Sequence, residues 1–223
     1  MLPLRDSISY HGPAAITKLL IALNVLVFWW QVGGGPVGFE RIVFAYGFVP
    51  AEFFAAPVAE AYRLVTSMFL HGGVAHLLGN MWFLWVFGPA LEGRLGWARY
   101  ASLYLLAGVV AAFVQGVLTA GSGVPVVGAS GAISGVLGAY FVLFRREYVL
   151  SLFWFVFPRF VWLPVGLYLG YWALIQFLYA LAGVPGTAWW AHLGGFVLGA
   201  LLGPSLRQRH PYRSTPYWQG WGD

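Results

Sequence analysis

Six stretches of this sequence are almost entirely apolar, and this feature limits the possible folds more than any other. They cover roughly residues 15–32, 74–91, 99–119, 127–144, 162–182 and 188–206. A membrane-spanning helix needs about 20 mostly apolar residues. Only 9% of the residues are charged, against roughly 25% in a soluble domain, which is too few to cover a water-facing surface. We therefore predict an all-α, polytopic membrane protein with six transmembrane helices.

These spans divide the chain into a short N-terminus, a six-helix membrane domain and a C-terminal tail. The expected boundaries are 1–14, 15–206 and 207–223. The connection 33–73 is long, rich in Phe, Tyr, Ala and Pro, and poor in charge, so we expect it to lie partly in the membrane interface. The first apolar run lacks the small-residue cleavage pattern of a signal peptide, and we expect it to remain as the first span.

The positions of the basic residues predict the orientation of the chain in the membrane. Six spans place both termini on one side, and that side then carries ten basic residues against two on the other, Arg41 and Arg63. Basic loops stay in the cytoplasm. We therefore expect cytoplasmic termini, an exterior 33–73 loop and a cell-membrane location. The net charge of +5 reflects this asymmetry, so we expect no nucleic-acid partner.

Several enzyme classes are disfavoured by what the sequence lacks. It has no cysteine, which removes disulfides, Cys-ligated metals and thiol nucleophiles. No Asp or Glu lies in the middle of a span, whereas ion-coupled transporters and aspartyl proteases use such carboxylates. A His-Glu-x-x-His zinc motif is also absent. We expect neither a metal nor a cofactor.

The polar residues that do lie in spans are the candidates for function, because burying them in a bilayer is costly. Ser130, in Gly128-Ala129-Ser130-Gly131, lies at the start of the fourth span. The first turn of a helix has unpaired N–H groups, which could stabilise an oxyanion. On its own this pattern also fits a packing or capping serine.

A serine nucleophile needs a base, and His192 lies near the exterior start of the sixth span. The fourth and sixth spans both run inward from the exterior side, so Ser130 and His192 are expected at similar depth, as a catalytic dyad requires. His76 and Asn80 are four residues apart on the second span and share a helix face. They could donate hydrogen bonds to an oxyanion, or simply stabilise helix packing.

In this order and spacing, the residues resemble the rhomboid family of intramembrane serine proteases, over residues 15 to 203. The matching motifs are His71-x4-His76-x3-Asn80, Gly128-Ala129-Ser130-Gly131 and Ala191-His192-Leu193-Gly194-Gly195. The resemblance implies a rhomboid-like bundle with a membrane-embedded exterior loop after helix 1. It further implies that Ser130 attacks the scissile bond, that His192 is its base, and that His76, Asn80 and the Ser130 N–H hold the oxyanion.

The same resemblance implies roles for residues outside the catalytic motifs. Trp172 and Gln176, on the fifth span, look like part of a mobile lateral gate, and transmembrane segments of other proteins are the implied substrates. The resemblance also implies structural or auxiliary roles for seven further residues: His71, Arg63, Glu92, Arg94, Gly131, Gly195 and Gly199. Among these, Gly131-x-x-x-Gly135 and Gly195-x-x-x-Gly199 independently predict tight helix crossings in lipid.

Two departures from the family pattern affect the details. Tyr62-Arg63 stands where the family often has Trp-Arg, and Ser134 stands where relatives often have an aromatic ring packed on the base. Serine cannot stack, so the residue that orients His192 stays open. Three alternatives also stay open: Ser134 as the nucleophile, a non-catalytic rhomboid-like escort of membrane proteins, and a small transporter. The sequence does not determine the oligomeric state.

Overall fold

The fold is taken from a computed structural model, which describes residues 1–9, 12–154, 157–207 and 213–214. Most of these residues are helical. The predicted tail 207–223 lies largely outside the described residues. The first helix starts at Ala15.

Within the described residues, ten α-helices form the body of the molecule. They are α1 (Ala15–Gly33), α2 (Gly35–Tyr46), α3 (Pro50–Ala55), α4 (Pro57–Glu60), α5 (Arg63–Thr66), α6 (Val74–Leu95), α7 (Trp97–Leu118), α8 (Ser130–Leu143), α9 (Val165–Leu181) and α10 (Trp189–Leu206). A 3₁₀ turn, Ser67–Phe69, follows α5. Each predicted span therefore contains one helix: α1, α6, α7, α8, α9 or α10. The connection 33–73 contains four short helices.

Three of these helices, α1, α6 and α7, are long and apolar enough to cross a membrane, and α8 and α9 are shorter apolar helices. Their apolar surfaces are widely exposed, as Leu26 at 65% and Leu167 at 62% illustrate. Such exposure would be unfavourable in water but is compatible with lipid contact.

Strands were not predicted, and here the all-α prediction is incomplete. The structure has β1 (Leu2–Asp6), β2 (Ile8–Ser9), β3 (Tyr148–Trp154), β4 (Pro158–Pro164) and β5 (Arg213–Ser214). A three-stranded antiparallel sheet has the order β1-β3-β4, and β2 pairs with β5. The apolar segment from 162 was assigned to the fifth span, but residues up to Pro164 belong to β4 and the helix starts at Val165.

The sheet contacts the helices through polar groups of its N-terminal strand. The Trp82 indole of α6 donates to the Pro3 carbonyl over 2.5 Å. The Tyr140 hydroxyl of α8 donates to Asp6 Oδ2 over 2.5 Å. The strand is thereby tied to two helices as well as to β3.

Asp6 makes this attachment dependent on pH. Burial raises the pKa of Asp6 from 3.8 to about 6, although the hydrogen bond from Tyr140 opposes the shift. Because the pKa of Asp6 is higher in the folded than in the unfolded chain, protonated Asp6 stabilises the fold. This contribution is complete below about pH 4 and is lost as the pH rises through about 6. Wild type should therefore lose thermal stability across this window, and Asp6→Asn should show a flatter profile. Thermal unfolding in detergent from pH 4 to 7 measures this, with the exposed Glu40→Gln as the matched control. Parallel profiles for wild type and Asp6→Asn would contradict the assignment.

Glycines allow α8 and α10 to pack with their backbones in contact. A Cβ added at Gly199 would lie 1.8 Å from the Gly135 carbonyl oxygen, and one at Gly195 would lie 2.1 Å from that of Gly131. Both distances are far below any real contact. These glycines therefore bring the two helices together at the closest separation that a backbone permits.

Glu92 connects the C-terminal end of α6 to the start of α1. Its carboxylate accepts hydrogen bonds from the Ile16 and Thr17 N–H groups, at 3.0 and 2.8 Å, and from the Thr17 hydroxyl at 2.8 Å. The first turn of α1 has unpaired donors and a positive dipole end, which an anion satisfies. Glu92 thus ties the start of α1 to the end of α6, and Arg94 lies in the last turn of the same helix.

Candidate active site

A cavity of about 780 Å³ lies between the helices and brings together the residues that the sequence singled out. Its lining includes His76 and Asn80 from α6, Ser130 and Ser134 from α8, Trp172 from α9 and His192 from α10. The four predicted catalytic and oxyanion residues therefore converge from three helices on one space. The segment 124–127, which precedes α8, also lines the cavity.

Ser130 is the first residue of α8. Gly128, two residues earlier, has φ +126°, a conformation that favours glycine because side chains are strained there. The Gly128 N–H donates to the Ser67 carbonyl over 2.9 Å, which ties this turn to the 3₁₀ segment. This turn holds the start of the helix, and with it the Ser130 hydroxyl and N–H, at the wall of the cavity.

His76 and Asn80 direct their donors to the same turn. A Cβ at residue 128 would lie 2.8 Å from His76 Nε2 and 3.6 Å from Asn80 Nδ2. The Gly72 N–H donates to His76 Nδ1 over 3.3 Å, so Nδ1 is the acceptor and Nε2 carries the proton. Asn80 Nδ2 is buried and has no hydrogen-bond partner among the described residues. Two donors are thus available beside the start of α8.

His192 lies in the first turn of α10. Its Nδ1 is 2.7 Å from Gln176 Oε1. The Trp172 ring lies at an interplanar angle of 31° to the imidazole with centroids 6.0 Å apart, and Trp189 forms an edge contact at 6.1 Å. No hydrogen bond between Ser130 and His192 occurs within the described parts of the chain. Catalytic hydrogen bonds of this kind are often long without substrate.

Ser134 is already engaged by the backbone. Its hydroxyl donates to the Ser130 carbonyl over 2.6 Å, one turn back along α8. Because the Ser134 hydroxyl already donates its proton to a carbonyl of its own helix, it is poorly placed to donate that proton to His192. The geometry therefore favours Ser130 over Ser134 as the candidate nucleophile.

His71 and Arg63 lie outside the cavity lining. His71 is fully buried, and its backbone exchanges two hydrogen bonds with the Gln31 side chain, at 3.2 and 3.0 Å. Burial, with a smaller effect of the His76 imidazole, lowers the pKa of His71 to about 4, so this ring is neutral at pH 7. Arg63 pairs with Glu52 and Glu60 and thereby holds α3, α4 and α5 together.

Two residues at the site were missed by the sequence reasoning. Gln115 of α7 is buried, lines the cavity and accepts a hydrogen bond from the Ala191 N–H over 3.2 Å. The signal was present, because Gln115 is a polar residue inside an apolar span, as Gln176 is. Trp189 offered no such signal, because aromatic residues are frequent throughout this chain.

Comparison with known proteins finds sequence similarity to rhomboid proteins. The chain is 38% identical over 140 residues to Rhomboid protease GluP of Bacillus subtilis (strain 168), covering 61% of this chain and 26% of that protein. It is 34% identical over 153 residues to RHOMBOID-like protein 4 of Arabidopsis thaliana, covering 69% and 36%. It is also 32% identical over 144 residues to Inactive rhomboid protein 1 of Rattus norvegicus, covering 64% and 15%. The chain thus spans about a third or less of the length of these relatives.

The sequence model of the Rhomboid domain matches residues 58–209, which is more than half of the chain. The matched region contains α6 to α10 and every residue of the candidate site. This multi-pass membrane protein therefore belongs to the rhomboid family.

Proposed function

We propose that the protein is an intramembrane serine endopeptidase that cleaves transmembrane segments of other membrane proteins. Ser130 is the nucleophile and His192 the base. The observation that carries this proposal is the convergence of Ser130, His192, His76 and Asn80 on a single cavity. A packing role for each polar residue alone would not require them to share one space.

In the proposed reaction, the Ser130 hydroxyl attacks the scissile carbonyl while His192 accepts its proton. The negative charge that develops on the carbonyl oxygen is stabilised by three donors: His76 Nε2, Asn80 Nδ2 and the Ser130 N–H. His192 then returns the proton to the leaving amine, and water hydrolyses the acyl-enzyme. Because His192 must be neutral to act, the rate should fall on acidification.

We further propose a membrane topology for this chemistry. The helices α1, α6, α7, α8, α9 and α10 cross a cell membrane, both termini are cytoplasmic, and the cavity opens to the exterior face, which supplies water. Residues 33–73 then form the exterior loop, and Trp172 and Gln176 lie on the helix proposed as the lateral gate. The basic residues of the short loops support this orientation.

The proposal is tested by labelling the purified protein in detergent with a fluorophosphonate, which reacts with activated serines. We expect one label, located by mass spectrometry on the peptide that contains Ser130. The alternative function is a non-catalytic escort of membrane proteins, which the similarity to Inactive rhomboid protein 1 brings into consideration. That function predicts a folded protein that is not labelled.

Asn80→Ala tests the oxyanion site separately from the nucleophile. Removing one such donor typically lowers kcat about 10²–10³-fold, and we expect a loss of this size because Asn80 Nδ2 has no other partner among the described residues. The measurement is turnover of a transmembrane-segment substrate in proteoliposomes. Leu78→Ala, a 62% exposed position on the same helix, is the matched control and should retain activity. Equal activity of Asn80→Ala and the control would remove Asn80 from the site.

A further inference from the structure

Among the described residues, Gln176 provides the side chain that hydrogen-bonds to the His192 imidazole. It lies on α9, is only 7% exposed, and places Oε1 2.7 Å from Nδ1. Both groups are held within helices, Gln176 in the fourth turn of α9 and His192 in the first turn of α10. The pair is therefore fixed by the packing of two helices and does not depend on a loop.

This contact determines which ring nitrogen carries the proton. An amide oxygen accepts hydrogen bonds and cannot donate them, so the neutral imidazole must donate from Nδ1. The other nitrogen, Nε2, then has a free lone pair. A general base needs this lone pair to accept the proton of a serine hydroxyl.

We propose that Gln176 is the positioning residue of the base, holding His192 in the tautomer with the proton on Nδ1. The proposal rests on the proposed function of His192 and assigns Gln176 a task beyond gating. In serine proteases with a triad, a carboxylate holds the histidine in this way. Here the acceptor is a neutral amide.

Trp172 completes the support from the same helix. It lies four residues before Gln176, so both side chains share one face of α9. Its ring lies against the imidazole, whereas Ser134 is turned to the Ser130 carbonyl and supplies no ring. The orientation of His192 is thus fixed from α9, by a tilted ring contact from Trp172 and a hydrogen-bond acceptor from Gln176.

The burial of this position explains why an amide suits it. An ionised carboxylate removed from water carries a large desolvation penalty unless it is paired and hydrogen-bonded. A glutamine supplies the same acceptor geometry without the charge. The tautomer is therefore fixed without a buried anion in the apolar interior of the bundle.

Rates of fluorophosphonate labelling test the contribution of Gln176. Gln176→Leu removes the acceptor at similar size, and we expect labelling to slow about 10–100-fold, by analogy with the loss of a partner that orients a metal-bound histidine. Gln176→Glu keeps an acceptor oxygen and should recover much of the rate, with an altered pH profile. Phe177→Leu, the adjacent and 44% exposed position, is the control. Wild-type labelling rates in Gln176→Leu would overturn the proposal.

Nitrogen-15 NMR of the histidine rings gives a readout that does not need activity. The spectrum is recorded on Ser130→Ala protein with labelled histidine, and the His192 signals are those absent from the Ser130→Ala/His192→Ala variant. We expect a protonated Nδ1 and an unprotonated Nε2, and a mixture of tautomers after Gln176→Leu. A protonated Nε2 in the parent would refute the role of Gln176. Failure of wild type to label, with Nδ1 protonated, would instead count against the proposed protease function.

Discussion

Ser130→Ala and His192→Ala should each abolish fluorophosphonate labelling and proteolysis. Removing the nucleophile or the base of a serine protease lowers kcat on the order of 10⁴–10⁶-fold, and the two losses do not add, because the residues act as a unit. The double variant should therefore be no less active than either single variant. The measurements are the labelling rate in detergent and the appearance of a substrate fragment in proteoliposomes.

Ser134→Ala is the matched control for this experiment. It removes a hydroxyl from the same helix and the same cavity, but one that donates to the Ser130 carbonyl, so labelling should persist. Labelling that persists in Ser130→Ala and disappears in Ser134→Ala would move the nucleophile one turn along α8. A correctly folded wild type that never labels would favour the non-catalytic escort.

Gly199→Val should have the largest effect on stability. The added Cβ would overlap the Gly135 carbonyl oxygen at 1.8 Å, and a backbone atom cannot move aside as a flexible side chain can. The α8 and α10 helices would have to separate, which forfeits contacts on both sides and costs several kcal/mol, on the order of the largest single-site effects. Because these helices carry Ser130 and His192, activity should be lost together with folding. Thermal unfolding in detergent measures the first effect.

Gly170→Ala is the control for the loss of a helical glycine as such. A Cβ at this position on α9 would meet only Phe141 Cε2, at an ordinary 3.8 Å, so we expect unchanged or slightly raised stability, because alanine favours a helix over glycine. Equal unfolding temperatures of Gly199→Val and Gly170→Ala would contradict the close backbone approach of α8 and α10 at Gly199.

The helices could be predicted from the sequence because a long run of apolar residues is unfavourable in water and therefore indicates a helix in the membrane. The start of α6 at Val74 was placed correctly, and that of α10 at Trp189 within one residue. The sheet was missed because β3 and β4 are apolar and aromatic as well, and the composition of such short segments does not separate a strand from a helix. β1 also pairs with a segment more than 140 residues away, which no local pattern reports.

At the candidate site, the sequence predicted which groups would lie together but not the contacts that orient them. Ser130, His192, His76 and Asn80 were recognisable because polar residues are rare in spans and because their order resembles the family motifs. The Gln176 contact with His192 depends on the rotation of α9 relative to α10, which packing determines. Trp172 could not be recognised as the ring beside His192 from a chain in which aromatic residues are common.

The pairing of β1 with β3 also has a consequence for the order in which the chain can assemble. The Tyr148 N–H donates to the Ser7 hydroxyl, 141 residues earlier in the sequence. Because a chain is synthesised from its N-terminal side, β1 is made before its partner strand β3. It stays unpaired while α1, α6, α7 and α8 are synthesised. Chains that stop before Tyr148 cannot form this sheet. Protease protection of residues 2–6 should therefore appear late in synthesis, after α1, α6, α7 and α8 have been made.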